Sequence, residues 1–255
     1  AVGWRWTYGG VAVILALFSF PTVVWLLKGY DQFHKKYLEI VRTSTDSIKS
    51  NVVSWTRRMV LRDPRFYLLL PAMVATPMVA TAFFFHHLNI AEAKQWDSGW
   101  ITANYLLYAG TSIFANVIAG SLIDRLSARK VFQYTMFPLA LAALTIGLAG
   151  NHLWVLLYMV LLGLHVGFSQ TSGAALYPEL YGVEHLGSIR SMGSVMAVLS
   201  SAVGPVIIGM LIDRSLSIQT ICILIASYVV VANILLVAAL RIVPPSIEKL
   251  TSYNK

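Results

Sequence analysis

Residues 120–130 read GSLIDRLSARK, a block of four charges (Asp124, Arg125, Arg129, Lys130) between two long apolar runs, residues 100–123 and 131–149. A hydrocarbon core needs about 20 apolar residues per helical crossing. Both runs qualify, so the charged block reads as a short loop at one membrane surface. Working outward, the same pattern recurs at residues 7–27, 66–89, 153–177, 189–212 and 218–240, giving seven spans in all. Their interiors carry no Lys, Arg, Asp or Glu, and Arg190 sits at the edge of the sixth. The composition agrees: 57% of residues are hydrophobic and 12% charged, against about 25% charged in soluble domains. The sequence therefore predicts an all-α, polytopic membrane protein with seven transmembrane helices.

The 19 Lys and Arg residues divide unequally when the spans are threaded with residues 150–152 as an outer turn. One side holds all but Arg5, Lys94 and Arg214. Cytoplasmic loops are enriched in Lys and Arg, so Ala1 is expected outside and Lys255 in the cytoplasm, with the plasma membrane as the expected location. The net charge of +8 is thus a topology signal, and no nucleic acid partner is expected. The first span is too long for a signal peptide and its basic residues follow it, where a signal peptide has them in front. The lone Cys222 excludes an intramolecular disulfide and reads as lipid-facing or packing material.

Four segments follow from this division: a first helix over 1–27, a cytoplasmic basic linker over 28–65, a six-helix bundle over 66–240 and a tail over 241–255. In the linker Phe33, Tyr37, Ile40 and Val41 recur at helical spacing, as do Val52, Trp55 and Met59, with Lys and Arg between them. Such stretches suit helices lying at the level of anionic headgroups, so membrane lipid is an expected partner. Asp63 reads as an N-cap and Pro64 as the first-turn proline of the second span. The chain does not start with Met, which suggests a piece of something longer.

The 120–130 block resembles the loop signature of the major facilitator superfamily, G-x-x-x-D-R-x-G-R-R-x, carried by Gly120, Asp124, Arg125, Arg129 and Lys130. Ser127 stands where that pattern has Gly and Ala128 where it has Arg, departures usual for the second copy, after helix eight of twelve. A second inner loop, residues 178–190 with Pro178, Glu179 and Arg190, resembles the superfamily's helix ten to eleven connection. Glu179 and Arg190 are expected to pair with Arg125 and Asp124 as a cytoplasmic gate. Gly204 and Pro205, in a helix where Gly193, Ala197, Ser200 and Gly204 share one face, resemble helix eleven; together with Gly163 and Gly167 these small residues are expected at close helix contacts. The resemblance implies a partial major-facilitator-type bundle, helices six to twelve, with helices one to five lying outside this chain as its partner.

Within the spans, polar side chains are the available chemistry. His165 begins a polar stripe with Ser169 and Ser172, whereas Gly163, Gly167, Gln170 and Ala174 form another. On the expectation that a glycine stripe is packing surface, His165 faces a wet cavity and Gln170 acts as interhelical glue. Asn104, Tyr108 and Thr111 share a face and are the expected outward-half binding wall. His86 and His87 end the second span and are candidates for binding or gating. A loose likeness to the monocarboxylate-porter-like branch rests on the phrase Phe83-Phe84-Phe85-His86 followed by Ala91 to Trp96.

These readings imply secondary active or facilitative transport of a small organic solute, with a carboxylate as one substrate class and protons as the coupling ion. Drug or metabolite efflux is the alternative within transport. A seven-helix receptor is the alternative from another class, although a retinal protein would need an intramembrane Lys that no span supplies. Neither paired intramembrane Asp nor an H-E-x-x-H metal set occurs. No enzymatic activity, cofactor or metal is expected.

Overall fold

The computed structural model describes residues 4–27 and 55–242. The expected helices around Phe33 to Val41 and at Val52, and the tail beyond 242, lie outside the described residues. The chain divides into two units, residues 1–52 and 53–255. In the first, α1 (Trp4–Leu27) includes Trp4 and Trp6 and contains Pro21.

The second unit is a bundle of antiparallel helices: α2 (Arg57–Arg62), α3 (Pro64–Ala93), α4 (Ser98–Ala103), α5 (Tyr105–Leu126), α6 (Ala128–Phe132), α7 (Met136–Leu148), α8 (Trp154–Tyr181), α9 (Leu186–Asp213) and α10 (Ile218–Arg241). With α4–α5 and α6–α7 each forming one crossing, six helices here and α1 are long and apolar enough to cross a membrane. The seven spans and the integral membrane class read from the sequence stand. Side chains such as Leu106, Val117 and Val198, 81%, 70% and 68% exposed, face outward, where lipid replaces water and exposure of apolar surface costs nothing.

Helix association in lipid depends on close packing of small residues, and α8 lies against α5 through two of the expected glycines. A Cβ at Gly163 would stand 2.7 Å from Tyr108 O. One at Gly167 would overlap Ser112 O and lie 2.6 Å from the Ala115 Cβ. Gly204 seats α9 on the Met78 carbonyl of α3, and Gly193 lies beneath the Tyr177 hydroxyl. The core where α3, α7, α8 and α10 meet contains Leu69, Met136, Leu139, Leu162 and Leu236. Cys222 is within it, 1% exposed and against Gly147, so it packs between helices and does not face lipid.

The helix ends follow the sequence. Asp63 caps α3 by accepting from Arg65 N at 3.1 Å, with Pro64 in the first turn. Asp63 and Arg65 also form an ion pair, Nε to Oδ2 2.9 Å, and the Arg65 guanidinium lies 5.2 Å from the Trp55 ring centre. Trp55 N donates to Tyr181 O at 3.0 Å. Trp55, Met59 and Val60 are buried with Phe66, Tyr181 and Ile189. The sequence expectation for Trp55 and Met59 was a helix resting on headgroups; the end of α8 and the start of α9, at Tyr181 and Ile189, offer them a drier contact, and they take it. On the opposite side, Lys94 Nζ donates to Gly147 O (3.0 Å) and Ala149 O (2.8 Å), capping the carbonyl end of α7. Burial lowers the Lys94 pKa.

Candidate functional site: a cavity walled by four spans

A cavity of about 650 Å³ opens between α3, α5, α8 and α9, with Phe132 of α6 in its wall. Aromatic rings supply much of the lining: Phe84, Tyr108, Phe132 and Tyr177. Phe84 and Tyr108 meet edge to face, centroids 5.1 Å apart. The polar groups are Thr76, Thr81, Ser169, Gln170, Ser194 and, near the start of α9, Arg190. Pro71 and Pro77 lie inside α3, which runs on through both, and Pro77 lies in the cavity wall.

Of the residues singled out for substrate contact, Tyr108 and Ser169 line this cavity and the others stand elsewhere. His165 is fully buried behind the wall. Its Nδ1 is 2.6 Å from Thr135 O and its Nε2 2.9 Å from Thr76 Oγ1. The expectation of a wet His165 and a glue-like Gln170 is reversed, because the stripe containing Gln170 splits along α8. Gly163 and Gly167 pack on α5, whereas one turn further in Gln170, Gly173, Ala174 and Tyr177 face the cavity. Those four recur at i, i+3, i+4 and i+7, a signal present in the sequence. Ser172 is buried, donating to Phe168 O at 2.5 Å.

His87 is buried between two phenols, Nδ1 to Tyr105 Oη 2.8 Å and Nε2 to Tyr158 Oη 2.6 Å. His86 Nε2 donates to Pro205 O at 3.0 Å, tying α3 to the proline of α9. The expected wall of Asn104, Tyr108 and Thr111 does not form as a unit. Only the long phenol of Tyr108 reaches the cavity; Asn104 and Thr111 line a separate groove with Leu107 and Phe114. Both side chains bond backbone four residues back, to Trp100 O (2.7 Å) and Leu107 O (2.8 Å).

At the end of the bundle where α5 gives way to α6 the expected charge pairs are also rearranged. Ser127 leaves α5 with φ 102° and ψ 153°, and the chain restarts as α6 with Ala128 N donating to Glu179 Oε2 at 2.7 Å. That restart brings Arg129 to Glu179: Nε lies 3.3 Å from Oε1 and Nη2 donates to Glu179 O at 3.2 Å. Asp124 and Arg125 end α5 on its exposed side. Among the described residues Arg129–Glu179 and Arg65–Asp63 are the two ion pairs, so the Glu179–Arg125 and Asp124–Arg190 pairs are not made. Gly120 has open space at its Cβ, Lys130 is exposed, and Arg190 lines the cavity.

An all-helical membrane bundle with glycine-seated contacts and a cavity walled by four of its spans defines the class. Residues 88–255 match the Major Facilitator Superfamily, and the chain belongs to it. It is similar to the tetracenomycin C resistance and export protein of Streptomyces glaucescens, with 31% identity over 128 residues, 50% of this chain and 22% of that protein. The chain thus corresponds to a minor part of that relative's length.

Proposed function

We propose that this chain forms one wall of an alternating-access exporter of small, largely apolar aromatic molecules. The observation that carries the reading is the lining of the cavity: aromatic rings, hydroxyls and one amide, with Arg190 as its one charged residue. Such a wall pays little to desolvate a neutral aromatic ligand and offers it stacking and hydrogen bonds. The name of the similar export protein supports the same direction. Transport then proceeds by rocking of this bundle against helices one to five about the central cavity. The Arg129–Glu179 pair, part-exposed at the inner surface, acts as the inner latch in that cycle.

Proton-coupled movement of a carboxylate is the second reading, favoured by Arg190 at the cavity's inner end. The two separate in one experiment. Cells expressing the whole protein are challenged with tetracenomycin C, and energised vesicles are assayed for uptake of that compound and of lactate. Raised resistance with saturable uptake of the aromatic compound supports export. Lactate uptake alone supports the carboxylate reading, and no saturable uptake of either refutes both.

A further inference from the structure

The cavity wall contains a hydroxyl whose polarity is set from behind. His165 Nδ1 faces the carbonyl of Thr135, which can only accept, so in the neutral ring Nδ1 carries the proton. Nε2 is then an acceptor, and the hydroxyl 2.9 Å away, Thr76 Oγ1, must donate to it. The proton of Thr76 is thereby committed to a fully buried residue, and what Thr76 shows the cavity is its lone pairs. One turn further along α8 from His165, Ser169 lies in the same wall, 6% exposed, with an Oγ that has no partner among the described residues. Its neighbours are paired: Thr171 donates to Asn116 Oδ1 at 2.7 Å and Ser172 to the Phe168 carbonyl four residues back. A buried hydroxyl left unpaired is destabilising, and a ligand relieves this by pairing with it.

We infer that Thr76, oriented by His165, is a specificity-determining acceptor that selects ligands carrying an O–H or N–H donor. This deepens the export reading and rests on it. Gly204 of α9 rests on Met78 of α3. Thr76 lies two residues before Met78 and Arg190 fourteen before Gly204, so at one rise per residue the two stand at well-separated depths of the wall. The ligand class is therefore an elongated aromatic molecule with a phenolic or amide donor at one end and an acceptor or acidic oxygen toward Arg190. His165 is a positioning residue and does not touch the ligand.

The tautomer is read without any ligand, by nitrogen NMR of the whole protein labelled at histidine, with the His165 signals assigned by their loss in His165→Gln. A neutral ring protonated at Nδ1 is expected. Protonation at Nε2, or at both nitrogens at neutral pH, overturns the inference. Binding is then measured by fluorescence with 7-hydroxycoumarin and 7-methoxycoumarin, two aromatic probes differing in the donor. The hydroxy compound should bind roughly 3- to 10-fold more tightly, the worth of one hydrogen bond. Thr76→Ser should keep that preference and Thr76→Val should abolish it. Equal binding of the two probes, absence of binding by either, or an unchanged preference in Thr76→Val overturns the inference. Absence of energised transport with tautomer and preference intact would instead overturn the export reading.

Discussion

Ser127 sits where α5 ends and α6 begins, with φ 102° and ψ 153°. That region is essentially reserved for glycine, and a side chain held there costs about 1–3 kcal/mol. Ser127 gains nothing in return: its side chain makes no capping bond, and its two loop hydrogen bonds are backbone ones, from its N to Ile123 O at 2.9 Å and from Val131 N to its O at 3.2 Å. Ser127→Gly keeps both. Glycine also loosens the unfolded chain by about 0.4–1 kcal/mol, so the net expectation is a gain of about 0.5–2 kcal/mol. For a unit of this size that is a rise in midpoint of roughly 1–8 °C. The protein carries its own reporter, because Cys222 is its one cysteine and is 1% exposed, silent to a thiol-reactive dye until the bundle opens. Thermal unfolding in detergent is followed by that dye for the parent, Ser127→Gly and Ser127→Val. The order expected is Gly above Ser above Val. A glycine variant that melts at or below the parent would refute the assigned strain.

Other perturbations test other parts. Asp63→Ala removes a helix cap worth about 1 kcal/mol and also strands Arg65, whose side chain is 5% exposed; breaking such a pair costs about 3–5 kcal/mol, and a loss no larger than that of a simple cap would mean that Arg65 finds water. Gly167→Val drives side-chain atoms into Ser112 O and Ala115, with an expected loss of about 1–3 kcal/mol read by the same dye; an unchanged midpoint would mean that α5 and α8 are not seated as described. Lys94 has a folded-state pKa below its ordinary 10.5. The unfolded chain therefore holds that proton more firmly, and the Lys94 contribution to stability rises as pH climbs from the folded value to 10.5. Lys94→Met should flatten this alkaline rise while losing the cap on α7, and an unaltered pH profile would remove Lys94 as its source. For sidedness, cysteines placed at Ser127 and Asn151 on a Cys222→Ala background should label from opposite faces of intact cells; outside labelling of both ends the charge-based orientation.

The sequence alone determined the number of crossings, because bilayer thickness demands about 20 apolar residues each time and seven runs supply them. It also determined where α3 starts, since Asp63 and Pro64 act on their own local backbone. The family was legible in the 120–130 loop for the same local reason. The glycines used for close contact were decided in packing, with Gly163 and Gly167 seated on α5 and Gly120 facing open space. Which side chains face the cavity was decided only in three dimensions. Helical period fixes which residues share a face, but α8 is apolar almost all round, so nothing in the pattern says where a given face points. Contact with α5 at Gly163 and Gly167 turned Gln170 into the cavity and His165 into the core. The partner of Glu179 was decided likewise: the Ser127 turn carries Arg129 to it and leaves Arg125 on the exposed side of α5. Charges near each other in sequence compete for one carboxylate on equal terms, and only the path of the backbone between them selects which arrives.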